Sequence, residues 1–134
     1  MTENKRAGFT IIEFVAAVLL FGIGVVSLLG VYTQAVTVSK RSDYAYVAYT
    51  LAKNHVERLR VSNFSTLSDA DETDTRLNRD GDPDPSGEYL RSTTVTTNYV
   101  GDSNLTRVDV RVFYEFKKVK SPQSMDMTTV IFNG

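Results

Sequence analysis

The chain has 134 residues, which is enough for one domain and too few for two, and its formal net charge of −1 supplies no overall field to draw in nucleic acid or an anionic surface. It has no cysteine and one histidine, which excludes a disulfide framework, a thiolate metal site and a histidine pair for zinc. The 42% hydrophobic share is concentrated before Tyr32, so an apolar segment leads into a polar one.

From Ala7 to Ser39 the only charge is Glu13, and Phe14 to Val38 carries none. A bilayer needs about 20 apolar helical residues, and residues 9–38 supply them. A secretory signal would hold an apolar run of roughly 7–15 residues closed by a small-residue cleavage site. The run here is longer, and no such site with a polar break closes it. Lys5 and Arg6 precede it, so the N-terminus is expected to stay cytoplasmic and the bulk to be exported, as a single-pass anchor. Glu13 then stands out, because a carboxylate at the bilayer centre costs roughly 2.5–3.5 kcal/mol.

Helical patterning continues past the span, over residues 39–61. Tyr44, Ala48, Leu51, Ala52, His55 and Leu59 recur at steps of three and four and form one apolar stripe. Lys53 and Glu57 make an i,i+4 pair, and Arg58 and Arg60 suit the negative end of a helix dipole. Neither Gly nor Pro interrupts from Val31 to Leu59, so one helix of about 50 residues is expected, greasy all round in its first half and amphipathic in its second.

Residues 62–88 are acidic, with Pro and Gly and few apolar side chains, and are expected to form a long loop. Residues 89–134 carry strand signals. Tyr89 to Val100 is rich in Thr, Val and Tyr. Leu105 to Lys118 alternates, with Val108, Val110, Val112, Tyr114 and Phe116 on one face. Gly101 to Asn104 suits a hairpin connection, and Met127 to Phe132 a third strand. Three antiparallel strands with one apolar face need a cover, and the amphipathic half-helix supplies it. The expected fold is α+β: a long N-terminal helix, its first half transmembrane, packed by its second half on a small antiparallel sheet.

The stretch Gly8-Phe9-Thr10-Ile11-Ile12-Glu13, after a short basic leader and before an uncharged helix, resembles the class III signal of type IV pilins and type II secretion pseudopilins. The resemblance implies cleavage by a prepilin peptidase between Gly8 and Phe9, removal of residues 1–8 as leader, and N-methylation of Phe9. It also implies that Glu13 meets the N-terminal amine of a neighbouring subunit as a filament grows out of the inner membrane. Either charge alone in low dielectric is unfavourable, and together they attract strongly, so the pair would set subunit register. Gly30 stands where major pilins usually carry proline, and the family's usual C-terminal disulfide has no cysteine here. The pattern Phe21-Gly-Ile-Gly-Val-Val, with Ala45, Ala48 and Glu57-Arg58-Leu59-Arg60 further on, is similar to minor pilins of the PilV type and to minor pseudopilins of type II secretion. The resemblance implies a structural subunit built into a pilus, or placed at its tip, with other subunits and the peptidase as partners. A membrane-anchored binding module for DNA or a surface ligand is the alternative from another class.

Other candidates are weighed on chemistry. Asn78, Asp80, Asp82, Asp84 and Glu88 place oxygens at alternate positions around a glycine turn, a spacing that suits Ca2+. His55 lies on the sheet-facing stripe, where a packed or hydrogen-bonded role is expected. Arg107, Arg111, Lys117, Lys118 and Lys120 form a basic group, but Asp109 and Glu115 interleave with it, so a mixed solvated face is expected over nucleic-acid binding. Asp102-Ser-Asn104-Leu-Thr106 matches an extended glycosylation sequon. No serine, threonine or glycine-rich loop has the context of a nucleophile or phosphate cradle, so no catalytic residue is assigned.

Overall fold

The computed structural model describes residues 8–134, so Lys5 and Arg6, the basic part of the expected leader, lie outside the described residues. The chain divides into two compact units, Met1–Ser39 and Lys40–Gly134. One helix, α1 (Ile11–Arg60), belongs to both, with Glu13 in its first turn and Arg58 and Arg60 in its last, each suited to the dipole at its end.

In the second unit the helix buries Val47, Ala48, Leu51, Ala52, Val56 and Leu59. Ala48 and Ala52 have no exposed surface, and their small side chains let the helix backbone approach the sheet. Tyr44 and His55, expected on the stripe, are half-buried. The helix stops where Ser62 turns its hydroxyl back to donate to the carbonyls of Leu59 (2.8 Å) and Arg58 (3.1 Å). Asn63 then accepts from the Ser65 N–H at 3.1 Å and opens a 3-10 turn, Phe64–Ala70, that seats Leu67 in the core.

The sheet has five antiparallel strands rather than the expected three: β1 (Glu72–Leu77), β2 (Tyr89–Thr96), β3 (Leu105–Phe116), β4 (Val119–Lys120) and β5 (Met125–Phe132). β3 is central, with β2 and then β1 on one side and β5 and β4 on the other. The register aligns Arg91 with Val112, Thr93 with Val110 and Val95 with Val108. It also sets Met127 opposite Val110 and Thr129 opposite Val108. Val108, Val110 and Val112 are wholly buried against the helix stripe, as their alternation in the sequence implies. The α+β architecture, with the second half of the long helix packed on the sheet, is the fold of the chain.

Three boundaries differ from those read in the sequence. Residues 62–88 hold the 3-10 turn and β1 instead of one loop. β1 escaped the pattern because it is a polar edge strand whose one buried residue is Leu77, and a bulge between Glu72 and Thr75, with Asp74 at φ 48°, breaks its alternation. β2 ends at Thr96 and gives way to a short turn, Tyr99–Gly101. β3 ends at Phe116 because Lys117 and Lys118 both take left-handed backbone (φ 53° and 63°), a tight hairpin turn that starts β4.

The turn between β1 and β2 is fixed by two glycines. Gly81 sits at φ 91°, and a side chain there would meet Leu51 at 3.0 Å. At Gly87 a Cβ would fall 2.1 Å from the Leu77 carbonyl oxygen, so only glycine fits.

Candidate functional site

The first unit presents side chains with nothing from the chain to bury them. Phe9, Ile12, Leu20 and Phe21 are each about 70–80% exposed, and the most apolar stretch of α1 has mean hydropathy 2.7 with none of it buried. A helix apolar on all sides is stable in lipid or among other helices rather than in water. Three of its hydroxyls bond the helix itself: Ser27 donates to Ile23 O (2.9 Å), Thr33 to Gly30 O (2.9 Å) and Thr37 to Thr33 O (3.0 Å). Gly22 opens a shallow apolar notch bordered by Val18, Leu19, Ile23, Val26 and Ser27, about 390 Å³ in volume. Glu13 is exposed in the first turn, with its N–H bonded to Thr10 O at 3.1 Å. Gly8 and Phe9 precede the helix in exposed, irregular backbone, the form in which a peptidase can reach a bond.

The acidic residues of the β1–β2 turn are organised by their own backbone. Asn78 Oδ1 accepts from the N–H groups of Asp80 (3.0 Å) and Asp82 (2.9 Å). Asp84 Oδ1 accepts from the N–H (2.8 Å) and hydroxyl (2.7 Å) of Ser86, which hold its pKa below the ordinary carboxylate value. Glu88 points elsewhere and accepts the Tyr44 hydroxyl at 2.9 Å. Among the described residues no three acidic, histidine or cysteine side chains converge as a metal site. Asn78 and Asp84 oxygens close the turn, and Arg79–Asp43 (3.0 Å) and Tyr44–Glu88 tie it to the helix.

Beneath the helix lies a polar cluster that sequence reasoning saw only at His55. Arg91, 8% exposed, donates to both carboxylate oxygens of Glu72. Glu72 also accepts from the Thr93 hydroxyl at 2.9 Å, and that hydroxyl lies 3.2 Å from His55 Nε2. Burial, then the Arg91 guanidinium, lowers the His55 pKa from 6.5 to about 4, against the opposing pull of Glu72. Burial works to raise the Glu72 pKa, but hydrogen bonds from Arg91 and Thr93 hold it below the ordinary carboxylate range. Acid, hydroxyl and imidazole in a row suggest proton transfer, but Thr93 has no exposed surface and the helix roofs it. The arrangement bridges helix and sheet. It was not legible because Glu72 lies on the unrecognised strand β1 and Arg91 occupies a core-facing register that composition assigns to apolar residues.

The basic group does not form a stripe. Arg107 pairs with Asp109 at 2.9 Å, and Lys120 lies 3.6 Å from Asp74 and 4.1 Å over the Phe113 ring. Within the sequon, Thr106 is buried on β3, while Asp102, Ser103 and Asn104 are exposed in the turn. Comparison with protein-family models, curated proteins and solved structures found no match to the chain.

Proposed function

We propose that the chain is a non-enzymatic structural subunit of a pilus-type filament, a minor type IV pilin in character, held in a bacterial inner membrane before assembly. The observation that carries this is the first half of α1, which is apolar and exposed and bears one carboxylate, Glu13, in its first turn. Such a helix serves two environments. In lipid its side chains are solvated by acyl tails, and among neighbouring helices they pack on one another. Glu13 discriminates between the two, because it gains a partner only where another subunit's Phe9 ammonium, freed by cleavage after Gly8, comes alongside. The Gly8-Phe9-Thr10-Ile11-Ile12-Glu13 motif supports that processing. The second unit has its own core and supplies the surface that neighbours or targets meet.

The test is intact mass of the chain from cells with and without a prepilin peptidase. Loss of residues 1–8 and gain of one methyl group, dependent on the peptidase, is the expected result. A leader retained under native expression refutes the proposal and leaves a plain membrane anchor.

A further inference from the structure

Within the second unit, the β3–β4 hairpin places a cluster of cations beside Arg41. The apolar run closes at Ser39, so Lys40 and Arg41 are the first charges past the proposed span. The Arg41 guanidinium stacks 5.6 Å over the Phe116 ring, and the Lys117 ammonium lies 5.6 Å from the same ring. The hairpin tip therefore sits beside the first helical turn of the second unit. Lys117, Lys118 and Lys120 are exposed around Val119, an apolar side chain 68% exposed at the tip. Among the described residues no ion pair engages Lys40, Arg41, Lys117 or Lys118. The nearby acids are committed elsewhere, Asp43 to Arg79 and Glu115 to Arg76. Arg41, Phe116, Val119 and Lys120 also border a half-open cavity of about 310 Å³. The turn itself is built against conformational preference, with both lysines in left-handed backbone where Asn-Gly would sit without strain.

We propose that this hairpin docks on the anionic phospholipid headgroups of the membrane that α1 crosses, with Lys117, Lys118 and Arg41 on phosphates and Val119 dipping among the glycerol esters. Charge complementarity and chain continuity name the occupant. A basic surface covalently joined to the end of a span meets that leaflet before any diffusing polyanion, and each basic residue near an anionic surface strengthens the contact by roughly fivefold. Cation and exposed apolar side chain side by side is the chemistry of an interface rather than of water. The inference rests on the proposal that α1 spans a membrane.

The chain has no native cysteine, so single labels are unambiguous. The full chain would be reconstituted in vesicles of phosphatidylcholine alone or with about one third phosphatidylglycerol. A polarity-sensitive fluorophore would be placed at Val119→Cys, at Leu20→Cys within the span, or at Ser103→Cys on the β2–β3 connection. The Leu20 label is expected in hydrocarbon in both vesicles and the Ser103 label in water in both. The Val119 label is expected to move from water to the interface only with phosphatidylglycerol, and to return to water in about 0.5 M salt. Lys117→Asn with Lys118→Gly removes two charges while easing the turn, so folding is preserved, and the docking equilibrium is expected to fall roughly 25-fold. A Val119 label equally wet, or equally immersed, in the two vesicles while Leu20 reports hydrocarbon overturns the docking and leaves the span intact. A Leu20 label in water overturns both.

Discussion

Acidification is expected to weaken the contact between helix and sheet through one residue, His55. In the folded chain it is neutral, buried between α1 and β2 with Thr93 at 3.2 Å and the Arg91 guanidinium near by, and its pKa falls to about 4 from the 6.5 of the unfolded chain. A depressed histidine pKa means that the unfolded chain takes up the proton first. Stability is therefore full above pH 6.5 and is lost progressively as pH falls from there toward 4. Between pH 7.5 and pH 5 the linkage integrates to about 2 kcal/mol. Glu72, whose pKa is lowered, does not offset this, because its own stabilisation is lost only at still lower pH. The assay is guanidinium unfolding of the full chain in non-ionic detergent, followed by tyrosine near-ultraviolet circular dichroism at the two pH values. His55→Gln keeps a group able to bond Thr93 and does not titrate, so its stability should be nearly flat across that window. The chain holds one histidine, so its ring resonances report the pKa without assignment ambiguity. A His55 that titrates near 6.5, or a glutamine variant that loses the same 2 kcal/mol by the estimate above, refutes the reasoning.

Gly87→Ala should cost about 3 kcal/mol or more in thermal unfolding, because its Cβ would lie 2.1 Å from the Leu77 carbonyl and the turn must open to admit it. Lys117→Asn with Lys118→Gly should raise stability by about 1–2 kcal/mol in the same experiment by relieving two left-handed lysines; a lower melting temperature would contradict the turn geometry. Millimolar Ca2+ should leave the melting temperature unchanged, since Asn78 and Asp84 already serve backbone donors, and a clear upward shift would show that the turn reorganises around the ion. Glu13→Gln should leave unfolding of the sheet domain within about 0.5 kcal/mol of the parent while abolishing incorporation into filaments in cells. Filaments of normal abundance would remove Glu13 from assembly.

How much of this could be read from the sequence depended on whether periodicity or geometry decided each feature. Val108, Val110 and Val112 announce a buried face by alternation, and the long helix is announced by an uninterrupted apolar run joined to a three-four stripe. Both are local patterns. β1 was hidden because Glu72–Leu77 satisfies its backbone by pairing with β2 while offering one apolar side chain to the core, so register with a distant strand, not composition, makes it a strand. The polar cluster was hidden for a related reason. Arg91 and Glu72 neutralise one another only after β1 and β2 are aligned, and before that each is simply a charge in a polar stretch. The bonding within the acidic turn was not legible either, because the Asx-type bonds by which Asn78 and Asp84 cap neighbouring N–H groups depend on the folded turn rather than on the alternation of oxygens.

The two halves of α1 answer different physical demands with one backbone conformation. In the second unit, burial of Val47, Leu51, Val56 and Leu59 against the sheet repays ordering locally, and the polar cluster and the Arg60–Thr129 bonds (3.0 and 3.1 Å) fix the helix in place. In the first unit no such repayment exists within the chain. Burying its large apolar side chains is worth on the order of tens of kcal/mol, and all of it must come from outside, from lipid or from other helices. Exchange between lipid and a bundle of helices, as the assembly proposal requires, would cost such a surface little net change, because acyl chains and leucines solvate it about equally well. What then favours one environment over the other is the sparse polar content. Ser27, Thr33 and Thr37 bond their own helix and are indifferent to the exchange. Glu13 is the charged group on that surface, and this is why the assembly proposal turns on it and on the ammonium that cleavage at Phe9 would create.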